Sequence, residues 1–187
     1  MRRTFRSAFP NTRRYGGCTR VLVPYKSAPR LKSFDYLGIQ RYFLTICTRD
    51  RRETFLDVTA VDEAVVQLRR TSTAEGFATI AYCFMPDHLH LLCEGTSPSS
   101  DFKEFVRLYK QRSSFAWKQK TGFELWQRGY FDRVLRADEN TVAVARYILE
   151  NPVRAGLSQS AEEYPYSGSF TMEVSDLLGS IQMDGWT

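Results

Sequence analysis

The spacing of apolar positions changes repeatedly along the chain, and each change marks an element. Tyr42-Phe-Leu-Thr-Ile-Cys-Thr48 is a β-rich run that predicts a first strand. From Asp57 to Ala74 the apolar residues Val61, Ala64, Val65 and Leu68 follow helical spacing, with Gly76 as a stop signal. Phe77 to Phe84 returns to a strand pattern, Pro86-Asp87 breaks it, and residues 88–93 form a third strand. After the loop Gly95-Thr-Ser-Pro-Ser-Ser100, Asp101 caps a helix that reaches about Lys120. Residues 125–136 combine a loop with a short strand. Thr141 to Glu150 forms a further helix, ended by Asn151-Pro152 because proline disfavours helical backbone before it. The order β-α-β-β-α-β-α predicts an α+β fold, a ferredoxin-like antiparallel sheet with helices packed on one face.

The 187-residue length suits one domain with a sizeable core, and no internal repeat is visible. Residues 31–170 read as that domain, residues 1–30 as a basic, disordered arm, and residues 171–187 as a C-terminal tail. Of the 26 Lys and Arg residues, nine fall in residues 1–35 beside a single acid, Asp35; the remaining 17 stand against 20 acids. The net charge of +5 therefore comes from the arm, and any nucleic-acid footprint on the domain must be a local patch. The arm is either a DNA-grasping tail or upstream sequence read from an early start codon. No apolar run approaches a membrane span, and no secretory segment follows Met1. Cys18, Cys47, Cys83 and Cys93 contain no C-x-x-C pair, so buried, reduced thiols in a cytoplasmic protein are expected.

The third strand carries the only two histidines, His88 and His90. Residues two apart on a strand share a face about 7 Å apart along the chain, so both imidazoles can converge on one metal while Leu89 and Leu91 turn into the core. Half-buried structural histidines are the alternative; the concentration of both on one strand face points to a metal site. Tyr147 and Asn151 are four apart on the last helix and share a face. Against the histidine strand, Asn151 would add an amide oxygen as third ligand, and a site with open positions would suit Mg²⁺ or Mn²⁺. Tyr147 would present a phenol that needs an adjacent cation to act as nucleophile near neutral pH. Pro152 leaves a second role open for Asn151, a cap on the helix end. The helix after Asp101 bears Lys103, Arg107, Lys110 and Arg112, candidate contacts for DNA phosphates. Its residues Phe102, Phe105, Leu108 and Phe115 are expected to face the core, and Tyr109 is a rival nucleophile without a ligand-type neighbour.

Met85-Pro-Asp-His-Leu-His-Leu-Leu, Leu125-Trp-Gln-Arg-Gly-Tyr-Phe-Asp-Arg-Val-Leu and Arg146-Tyr-Ile-Leu-Glu-Asn-Pro-Val-Arg-Ala-Gly-Leu157 resemble the REP-associated tyrosine transposases, of the HUH single-tyrosine superfamily. The resemblance runs in order from about Leu31 to Ser169. It implies that His88, His90 and Asn151 bind a divalent metal, Mg²⁺ or Mn²⁺, and that Tyr147 is the nucleophile. It further implies a metal-dependent nick of single-stranded or hairpin DNA, a 5′-phosphotyrosine link and transfer to another 3′-hydroxyl. Arg128 and Arg133 in the middle block are candidate phosphate contacts, Asp132 an arginine partner, and Trp126 a core residue. No membrane partner is implied, and either a monomer or a homodimer fits. The alternatives are a domesticated protein that binds hairpin DNA without cutting it, or another HUH enzyme. A histidine-triad hydrolase is excluded by Leu92, where a third alternating histidine would stand.

Overall fold

The computed structural model describes residues 34–179. The basic arm of residues 1–30 lies outside the described residues. Five strands form one antiparallel sheet: β1 (Arg41–Cys47), β2 (Phe77–Met85), β3 (His88–Gly95), β4 (Phe131–Val134) and β5 (Ser167–Gly168), in the order β4-β1-β3-β2-β5. The helices are α1 (Val58–Glu75), α2 (Phe102–Thr121), α3 (Thr141–Leu149), α4 (Asn151–Arg154) and α5 (Val174–Gly179). The α+β class and the antiparallel sheet are those the sequence implies, and the first six elements follow β-α-β-β-α-β.

Alternation along the strands divides the core in two. Tyr42, Leu44 and Ile46 of β1 and Leu89, Leu91 and Cys93 of β3 point to the face covered by α1 and α2. Ile80, Ala81, Cys83, Met85 and Leu92 point to the other face, where Ala145, Ile148 and Leu149 of α3 cover them. Helices on one face therefore describes α1 and α2, whereas α3 packs on the opposite face and carries Tyr147 there. A bulge between Thr79 and Ala81 rephases β2, so Tyr82 and Phe84 join the first core and Cys83 and Met85 the second. In the segment read as a tail, α5 buries Leu177 against the α3 side.

Helices α1, α2 and α3 each begin on a side-chain acceptor. Asp57 accepts from the Thr59 amide, Asp101 from Lys103 and Glu104, and Asn140 from Val142 and Ala143. On α2, Phe102, Phe105, Val106 and Tyr109 form the buried stripe, and Trp126 lies buried with its indole N–H donated to Ser113 Oγ at 2.8 Å. Phe115 corrects the expectation, being 66% exposed. It follows Tyr109 by six residues, which turns it about 240° away from the inward stripe; Leu108 is off the stripe for the same reason and is only half-buried.

Candidate active site

His88 opens β3 directly after the two-residue Pro86-Asp87 turn. That turn is tied down from outside the sheet. Thr48 donates its amide to the Asp87 carbonyl at 3.0 Å and shares its hydroxyl proton between the Arg52 and Asp87 carbonyls at 2.7 and 3.0 Å, and the Phe55 amide donates to the Pro86 carbonyl at 3.0 Å. Across β1 and β2, His88 is in register with Cys47 and Met85, and His90 with Thr45 and Cys83. These residues share the face that α3 covers.

Both imidazoles are anchored by one nitrogen and meet at the other. His88 Nδ1 lies 2.6 Å from Asp87 Oδ1, and His90 Nδ1 lies 2.9 Å from Thr45 Oγ1. The two Nε2 atoms stand 3.0 Å apart, with the rings nearly perpendicular. Phe43 stacks on His90. Burial raises the Asp87 carboxyl pKa, but the hydrogen bond and charge of His88, together with Arg51, hold it below the usual carboxylate value. Burial first, then the charges of His88, Arg154 and Arg51, hold His90 well below the usual imidazole value.

Two nitrogens bound side by side at about 2.1 Å to one ion stand about 3.0 Å apart. The histidine pair has that spacing, and each ligand nitrogen has its ring partner held by an oxygen, as metal-binding histidines do. The donor set fits a divalent cation. Among the described residues no group of three or more His, Cys, Asp or Glu side chains could hold a metal ion.

Asn151 lies where α3 breaks. Pro152 has no N–H for the Ile148 carbonyl, and the Asn151 side-chain amide replaces it, donating at 3.3 Å to Ile148 and at 3.0 Å to Tyr147. The capping role thus occupies the amide nitrogen, and the oxygen is the atom with ligand chemistry. Tyr147 is 48% exposed. Arg154, from α4, stacks its guanidinium 4.2 Å above the Tyr147 ring and donates to the Tyr147 carbonyl. Glu150 pairs with Arg146 and Arg154, clipping α3 to α4 across the break. The Arg154 charge is also among those that lower the His90 pKa. Tyr109, the rival, is fully buried in the opposite core, its hydroxyl unpartnered and its pKa raised by burial.

The basic candidates separate by face. Arg133 of β4 pairs with Phe43 and shares the histidine face, where it bridges to Glu139. Arg128 lines a cleft with Arg49, Lys110 and Gln127. Lys103, Arg107, Lys110 and Arg112 belong to α2, which covers the other face. Lys103 sits over the Tyr36 ring, Arg107 pairs with Glu104, Lys110 donates to the Gln127 and Gly129 carbonyls, and Arg112 reaches Thr71 and Glu75. Thr45, Arg51 and Arg154 were not singled out by the sequence. For Arg154 the available signal was its spacing, three residues beyond Asn151.

The profile of the family described as Transposase IS200 like matches residues 39–151. The chain belongs to the IS200-like transposase family. A Haemophilus influenzae protein provisionally named a REP-associated tyrosine transposase is 28% identical over 146 residues, covering 71% of this chain and 81% of the relative. The REP-associated tyrosine transposase of Escherichia coli is 24% identical over 152 residues, covering 80% and 88%. A solved structure of a REP-associated tyrosine transposase bound to a REP hairpin superposes with a TM-score of 0.61 at 21% identity, over 71% of this chain and 78% of that one. The resemblance drawn from the three sequence blocks stands, and this transposase shares the solved relative's fold. No helix among the described residues is long and apolar enough to cross a membrane.

Proposed function

We propose that this transposase nicks and rejoins single-stranded hairpin DNA through a covalent 5′-phosphotyrosine on Tyr147. The observation that carries the reading is the pair of Nε2 atoms 3.0 Å apart, on the sheet face packed by the helix that bears Tyr147. His88, His90 and the Asn151 oxygen are the groups that would hold Mg²⁺ or Mn²⁺, which when bound polarises a DNA phosphate. The Tyr147 phenol loses its proton and attacks phosphorus; the bond to the 3′-oxygen breaks and a 3′-hydroxyl leaves. Bond energy stays in the phosphotyrosine, so a second 3′-hydroxyl restores the phenol and joins a new strand. Arg154 sets a positive charge over the ring of the attacking phenol.

The names of the Escherichia coli relative and of the solved relative support palindromic hairpin DNA as the partner. Arg133, on the histidine face, is the first phosphate contact in this reading, and Arg128 shares a cleft with Lys110 of α2. One chain bears both the tyrosine and the histidine pair, and either a monomer or a homodimer fits this reading.

The test uses labelled hairpin DNA with Mg²⁺ or Mn²⁺ on a denaturing gel. A protease-sensitive adduct is expected with the wild type and absent with Tyr147→Phe. An adduct that persists in Tyr147→Phe refutes the assignment of the nucleophile. Tight hairpin binding without an adduct in either ion supports a non-cleaving binder instead.

A further inference from the structure

Tyr42, Leu44 and Ile46 point to the side of α1 and α2, so alternation turns Arg41, Phe43, Thr45 and Cys47 to the histidine face. Arg41, half-buried at the start of β1, reaches from that face into the segment between β4 and α3. Its Nη1 donates to the Glu139 carbonyl at 3.1 Å and to the Thr141 hydroxyl. Its Nη2 donates to the carbonyls of Arg136 and Ala137 at 2.9 and 3.3 Å. The Leu135 amide returns a bond to the Arg41 carbonyl at 2.8 Å. Glu139 shapes the segment for this contact: one carboxylate oxygen accepts from the Arg136 amide at 2.8 Å, and the other pairs with Arg133.

Apolar packing does not hold this segment, since Arg136, Ala137 and Asp138 are exposed. Nor does the placement serve the helix by itself, because a cation at a helix start opposes the helix dipole. What the guanidinium does is fix where α3 begins. Tyr147 lies six residues beyond Thr141, about 9 Å along the helix axis. A tilt of about 10° about that end would carry the Tyr147 backbone about 1.5 Å. A displacement of about 1 Å from the attack geometry can cost about 10²-fold in rate. We infer that Arg41 is a positioning residue, a strand-to-loop clamp that holds the start of α3 at a fixed place along β1 and so aims the Tyr147 phenol. Ala145, Ile148 and Leu149 seat α3 on the sheet, and Arg41 sets its direction across it. The inference rests on Tyr147 as the nucleophile, but the clamp itself is measured without DNA.

The full-length wild type and Arg41→Ala are compared by native-state amide hydrogen exchange, and by single-turnover adduct formation at saturating hairpin DNA with Mn²⁺. In Arg41→Ala the amides of residues 144–148 should exchange at least about tenfold faster, while those of the β1–β3 ladder keep their protection. Adduct formation should slow by about 10–100-fold, with the hairpin Kd within about twofold of the wild type. Added methylguanidinium should restore part of the rate in Arg41→Ala and leave the wild type unchanged. Arg41→Lys, which reaches fewer of the four acceptors, should give an intermediate rate and takes the place of Arg41→Ala if that variant does not fold. Protection lost evenly over the molecule, or not lost in α3, overturns the clamp. So does a wild-type adduct rate in folded Arg41→Ala, or a loss confined to hairpin affinity, which would make Arg41 a DNA contact. If the wild type forms no adduct, the nicking reading fails and the exchange comparison alone decides the clamp.

Discussion

Two tyrosines show how placement separates chemistry from packing. Tyr147 stands exposed beneath a guanidinium, whereas Tyr109 lies in the core opposite the histidines with its hydroxyl unpartnered. A buried hydroxyl without a partner carries a desolvation penalty that no hydrogen bond offsets. Tyr109→Phe should therefore raise stability by about 1 kcal/mol in urea unfolding and leave adduct formation unchanged. Arg154→Gln should act in the opposite sense, slowing adduct formation by about 10²-fold while hairpin affinity changes little. Single-turnover kinetics at saturating DNA distinguish that outcome from a loss of binding. The strand period set both histidines on one face, whereas Tyr147 was singled out by resemblance to the family's sequence blocks more than by helix spacing. The sequence did not reveal Thr45 or Arg154, whose importance depends on register between strands and on stacking across a helix break.

At the scale of elements, the proposed chemistry rests most on α3. It is short, ends at a proline and is held by Asn140 at its start and by Asn151 and Arg154 at its end. Removing the cap in Asn140→Ala should cost about 1 kcal/mol. A thermal melt should register this as a loss of about 2–4 °C. The long strands and helices were legible within a residue or two, since apolar spacing and caps coincide there. The bulge in β2 was not, because one extra residue leaves the composition strand-like while exchanging the faces of everything after it. The two-residue β5 and the short α4 carry too few positions to display a period.

For the molecule as a whole, the sheet is a partition. One face is closed by α1 and α2, and the other holds the histidines, α3 and Arg133. If DNA binds the histidine face, charges on the two sides contribute unequally. Arg133→Ala should weaken hairpin binding and reduce its salt dependence by about one counterion, whereas Arg107→Ala should change neither appreciably. Fluorescence anisotropy over a salt series would measure both; equal losses would show that DNA also follows α2. The sequence by itself determined the order of strands and helices, the shared face of His88 and His90, and the alternation that buries Leu89 and Leu91, because these follow from bond geometry within a few residues. Only the tertiary structure decided which helix lies over the histidines, which tyrosine remains accessible and which oxygens hold the imidazoles. Those outcomes depend on contacts between distant segments, which register and close packing select and no local period encodes.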